Sequence, residues 1–169
     1  MLLFVLMEVM FFAGMISAFT IIKASAPLWP PPGQPRLPVW DTAINTAALL
    51  ASGLCLYRSA QLFRIDRQRA LRPLLWALVL GAFFVIAQGV EWVALVGQGL
   101  TLRSSSLGSF FYLIVGMHAL HAVVALGLLF ATWRRLRQGW LARSQLATAE
   151  VFWYFVVGLW PILYAVVYW

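Results

Sequence analysis

Residues 73–96 read PLLWALVLGAFFVIAQGVEWVALV, a run in which only Gln88 and Glu91 are strongly polar. Wound as a helix at 1.5 Å per residue, such a run is about 36 Å long, enough to cross a hydrocarbon core roughly 30 Å thick. It shows no alternation at period two, and a helix satisfies its own backbone groups in lipid, so it reads as a spanning helix and not a strand. Four further runs read the same way: Leu2 to Ile22, Thr42 to Phe63, Leu107 to Trp133, and Ala149 to Trp169. Hydrophobic residues are 63% of the 169 and charged residues 10%, with a mean hydropathy of +0.89. A soluble domain of this length cannot cover that much apolar surface, so lipid must cover part of it. The expected fold is all-α: a polytopic bundle of five transmembrane helices forming a single domain over residues 1–169, with no linker, soluble domain or internal repeat. The first run lacks a basic leader and carries Glu8 within it, so it reads as a retained helix and not a cleaved signal.

The basic residues set the expected orientation. Arg58, Arg64, Arg67, Arg69 and Arg72 lie around the second connection, and Arg134, Arg135, Arg137 and Arg143 around the fourth. The other two connections hold Lys23, Arg36 and Arg103. That bias places the N-terminus in the cytoplasm and the C-terminus outside. The net charge of +7 is therefore a topology signal. The arginines flank spans and carry no recognition motif, so nucleic acid is not an expected partner. Between the first two spans, Lys23 to Trp40 contains six prolines, a stiff external strap. Trp29, Trp40, Tyr168 and Trp169 fall where interfacial aromatics belong.

Carboxylates and imidazoles well inside a span are costly and therefore informative. Here they are Glu8, Glu91, His118 and His121. His118 and His121 are three apart on one helix face, so they cannot clasp a haem iron from opposite sides, and the chain has no third histidine. Glu91 lies roughly 9 Å and His118 roughly 16 Å below the outer face by residue count. The short connection between their helices makes them antiparallel neighbours, so a Glu91–His118 hydrogen bond is expected, with Gln88 beside Glu91. Glu8, about 10 Å in from the opposite face, has no evident partner in the chain. It is expected to meet another protein chain, or lipid headgroups and water. Cys55 is the single cysteine and reads as a packed helix residue, excluding an intrachain disulfide and a cysteine-rich metal site. Small residues Ala77, Gly81 and Gly89 on the third span, with Ala119, Gly127 and Ala131 on the fourth, offer close-packing faces.

Several short motifs, in order along the chain, resemble subunit III of the haem–copper terminal oxidases. Met7-Glu8-Val9-Met10-Phe11-Phe12-Ala13-Gly14 is similar to that family's Ser-Glu-x-x-Phe-Phe helix, with Met7 in the serine position. Trp29-Pro30-Pro31 resembles its external strap, and Asn45-Thr46 with Leu49-Leu50-Ala51-Ser52-Gly53 its next helix start. Gln88 and Glu91 match Gln-x-x-Glu, and Ser109-Phe110-Phe111 resembles a serine followed by paired phenylalanines. Gly116-Met117-His118-Ala119-Leu120-His121 is similar to Gly-x-His-Gly-x-His. The chain departs where the family commonly reads Trp-His-Phe-Val-Asp: Tyr154 and Val157 stand for the histidine and the aspartate. Pro161 follows and cannot donate to the Val157 carbonyl, so a kink or a rescuing contact is expected.

The resemblance is to the five-helix form. It implies an accessory, non-redox subunit of a respiratory oxidase, in a bacterial-type cytoplasmic membrane, with no catalytic centre and no cofactor of its own. Haem and copper are then expected on partner subunits, with the catalytic subunit I, other oxidase subunits and bound phospholipid as partners. Support of oxygen access and proton uptake is the implied contribution. The family-matched intramembrane positions are Glu8, Asn45, Gln88, Glu91, His118 and His121. Two alternatives stand beside this: a subunit III-like protein associated with nitric oxide reductase, and a small proton-coupled transporter using Glu8 and Glu91.

Overall fold

The structure is a computed structural model and describes residues 1–27 and 37–168. Five helices follow one another: α1 (Leu2–Ser25), α2 (Val39–Phe63), α3 (Arg67–Gly97), α4 (Ser106–Arg137) and α5 (Arg143–Tyr168). All five are long and apolar enough to cross a membrane, and no strand occurs among the described residues. The protein is a membrane-embedded, multi-pass helix bundle, as the apolar runs predict.

The helices outrun the apolar windows. α3 starts at Arg67, six residues before Pro73, because Asp66 caps it by accepting from the Gln68 amide at 2.8 Å. Ser105 does the same for α4, accepting from the Gly108 amide at 3.1 Å. α3 and α4 both end in a left-handed glycine, Gly99 (φ +91°) and Gly139 (φ +84°). The Leu100 and Trp140 amides then return to the carbonyls of Leu95 and Arg135, at 3.0 and 3.2 Å, closing each helix end. α5 runs through Pro161 as one continuous helix. The strap expected from Lys23 begins later, since α1 extends to Ser25; its Trp29-Pro30-Pro31 core and Trp169 lie outside the described residues.

Packing makes a closed ring: α2 against α3, α3 against α4, α4 against α5, and α5 back against α2. α1 touches only α4 and α5. It buries Phe12 and Phe19, seven residues apart, and leaves the rest of its apolar surface largely uncovered. α2 is stitched to α3 by polar side chains seven residues apart. Ser52 donates to the Ala77 carbonyl (2.7 Å), Ser59 to the Ala70 carbonyl (2.9 Å), and Asn45 reaches Glu91 (2.9 Å).

Two tryptophans of α5 fill the ring's centre. Trp153 and Trp160 are fully buried, and each donates its indole N–H to α2: Trp153 to Ser52 (3.1 Å), Trp160 to Thr46 (2.9 Å). Trp153 lies against Gly81, where an added Cβ would sit 2.6 Å from its ring. At Gly116 the Trp92 ring would lie 3.4 Å from an added Cβ, an ordinary contact. The tight approaches involve Gly81, Gly53 against Val157, and Gly108 against the Thr101 carbonyl. Gly89 and Gly127, expected as packing faces, have open space beside them, because no large ring is aimed at them.

Candidate functional site

Two polar clusters and one isolated histidine occupy the bundle interior. The first cluster is built on Glu91 near the C-terminal end of α3. Thr42 and Asn45 rise from the first turns of α2 to meet it, with Thr42 Oγ1 at 3.0 Å and Asn45 Nδ2 at 2.9 Å. Gln88, one turn earlier on α3, donates its amide at 2.7 Å, and the same nitrogen lies 3.1 Å from the Tyr168 hydroxyl. Thr42 is also 2.8 Å from the Pro38 carbonyl, so its single proton is shared between two acceptors. Outside this cluster lies a groove of about 450 Å³ lined by Pro38, Asp41, Asn45, Glu91 and Gln98 among others.

The second cluster joins α1 to α4. His121 Nε2 lies 3.1 Å from Glu8 Oε2, and His121 Nδ1 is 2.7 Å from the Met117 carbonyl. A carbonyl only accepts, so Nδ1 carries a proton. Nε2 and Glu8 therefore share one more: imidazolium with carboxylate, or imidazole with carboxylic acid. Both descriptions leave the pair with no net charge, which suits a site inside lipid. Phe4, Phe12, Phe152 and Phe155 surround the imidazole.

His118 sits between the two clusters and belongs to neither. It is buried, stacked on Trp160 with ring centroids 5.0 Å apart, and edged by Phe12 and Phe84. Neither ring nitrogen has a hydrogen-bond partner among the described residues.

These positions correct two expectations. Glu91 does not bond His118: the donors that reach it come from α2 and from Gln88, because the start of α2 packs against the C-terminal end of α3. Glu8 does not look outward for a partner, since His121 meets it. Residue counting misplaced Glu8 because α1 begins deep in the bundle. Phe4 is in ring contact with Phe152, which lies nine residues into α5, about 13 Å along it. Of the six matched positions, Asn45, Gln88 and Glu91 come together, Glu8 and His121 come together, and His118 stands apart.

Thr42, Ser59 and Trp160 join the polar framework without having been singled out. The spacing of Asn45, Ser52 and Ser59 at seven was the available signal for Ser59. Tyr168, expected at the membrane boundary, is buried and turned inward to Gln88, whereas Trp40 is 82% exposed. Val157, in the position of the family aspartate, packs onto Gly53, where an added Cβ would lie 3.1 Å away. Among the described residues, no three His, Cys, Asp or Glu side chains gather closely enough to hold a metal ion.

A sequence model of the family described as cytochrome c oxidase subunit III matches residues 1–169. Cytochrome c oxidase subunit 3 of Thermostichus vulcanus is 28% identical over 173 residues, covering 99% of this chain and 84% of the relative. The protein of that name from Synechocystis sp. is 29% identical over 173 residues, covering 98% and 72%. The one from Bos taurus is 31% identical over 180 residues, covering all of this chain and 67% of the relative.

Proposed function

The chain belongs to the cytochrome c oxidase subunit III family, and from that premise we propose that it is a non-redox accessory subunit that steadies a catalytic haem–copper subunit through sustained turnover. The observation that carries this reading is how its intramembrane polar groups are engaged. Glu91 is held by three donors, Glu8 and His121 hold each other, and Trp153 and Trp160 are anchored on α2. Such pairings fix helices relative to one another.

In this reading haem and copper reside on partner subunits, above all the catalytic one. The uncovered apolar faces, α1 foremost, meet that partner and bound phospholipid. The contribution to the partner is access for oxygen and continued proton uptake, exerted through packing and local hydration. The arginine-rich ends face the cytoplasm of a bacterial-type membrane.

Oxygen consumption against time, for the complex with and without this chain, tests the proposal. Haem content and initial turnover should be largely retained without it, while the lifetime during sustained turnover falls. Immediate and complete loss of activity in an assembled, haem-replete remainder would overturn it.

A further inference from the structure

Among the described residues, four buried side-chain polar atoms have no hydrogen-bond partner: Gln88 Oε1, Trp92 Nε1, and both ring nitrogens of His118. They come from two helices, yet all three residues line one cavity of about 170 Å³ between α3 and α4. Its space is made by small residues, Gly89, Ala119 and Ala122. Among the described residues, no other buried side-chain nitrogen or oxygen lacks a hydrogen-bond partner. An unsatisfied polar group in a hydrocarbon environment costs several kcal/mol, so four gathered around one cavity point to an occupant.

The chemistry of the four atoms selects it. Trp92 Nε1 can only donate and Gln88 Oε1 can only accept. The Gln88 amide is oriented by its neighbours: its nitrogen is required by the Glu91 carboxylate, which turns its oxygen the other way. A neutral imidazole offers one donor and one acceptor. The three lining residues therefore carry two unmatched donors and two unmatched acceptors in all. Water has two of each. An acyl chain has neither, and an anion or a cation would meet the wrong sign at half of the positions. A water occupies about 30 Å³ in the liquid, so there is room for several.

We propose that the cavity between α3 and α4 is a water-binding site, in which a small cluster bridges Gln88, Trp92 and His118. It extends the Glu91 network inward: Glu91 to the Gln88 amide, Gln88 oxygen to water, water to His118. The ring nitrogens of His118, which no hydrogen-bonding group among the described residues reaches, gain their partners there.

A cryo-EM map of the intact membrane complex in lipid nanodiscs, at a resolution that shows ordered water, is the test. Separate water-sized densities are expected at about 2.7–3.2 Å from these four atoms. Unbroken acyl-chain density, no density, or the four atoms bonded to protein groups would overturn the proposal. Gly89→Leu gives an independent reading, since a side chain added there starts in open space beside the cavity. Displaced water leaves four atoms without partners, so the melting midpoint should fall by several degrees. A raised midpoint is the behaviour of a dry cavity being filled, and would also overturn it.

Discussion

At Glu8 and His121 a single shared proton decides what each substitution does. Glu8→Gln keeps a group that can donate to His121 Nε2, whereas Glu8→Leu leaves that nitrogen without a partner, since Nδ1 is committed to Met117. Interhelical hydrogen bonds in membranes are worth on the order of 1 kcal/mol, so Glu8→Leu should lower stability by about that much and Glu8→Gln by clearly less. Thermal unfolding in detergent distinguishes them, and equal losses would show that the pair makes no specific bond. Glycines give a second contrast. Gly81→Ala would drive a methyl to 2.6 Å from the buried Trp153 ring, costing about 1–3 kcal/mol, while Gly127→Ala meets nothing within 4 Å and should be near neutral. The residues legible from sequence were those whose rarity in lipid marks them, Glu8, Glu91, His118 and His121. Their partners were not legible, because pairing depends on how far each helix is shifted along its neighbours. α1 enters deep, so Glu8 meets His121; the start of α2 packs on the end of α3, so Glu91 meets Thr42 and Asn45.

At the scale of elements, all five helices were visible as apolar runs, but their ends were not. The first turns of α3 and the last of α4 carry arginines that a hydropathy window rejects. The capping residues Asp66 and Ser105 and the left-handed glycines Gly99 and Gly139 set those ends instead. What binds helix to helix is the seven-residue polar seam of α2 and the two indoles that α5 sends into it. Ser52 is the junction, accepting from Trp153 and donating to the Ala77 carbonyl. Ser52→Ala should therefore cost about 1–2 kcal/mol, much of it from the buried indole N–H left unpaired. In a Trp153→Phe background that N–H no longer exists, and the same substitution should cost markedly less. A double-mutant cycle on the unfolding free energy reads the difference directly. Additive effects would mean that the 3.1 Å contact contributes nothing to holding α5 against α2.

For the whole molecule, the odd number of spans puts the two termini on opposite ends, and the packing agrees. The end of α1 reaches the end of α5, with Lys23 Nζ 3.5 Å from the Val166 carbonyl, and Tyr164 donates to the Val39 carbonyl at the start of α2 (3.0 Å). One end of the bundle thus gathers the α2–α3 and α4–α5 connections with nine arginines, and the other carries Lys23 and Arg103 among the described residues. A geometry of helices fixes which connections share a side, but which side faces the cytoplasm follows from charge alone, because basic residues resist translocation. Labelling can separate these two statements. In a Cys55→Ser background, which removes the single native thiol, Gln68→Cys and Arg103→Cys place one thiol at each end. An impermeant maleimide applied to intact cells should label Arg103→Cys at once and Gln68→Cys only after the membrane is opened. The reverse pattern would invert the orientation while leaving the bundle as described. Labelling of both thiols from one side would contradict the alternation of the helices themselves.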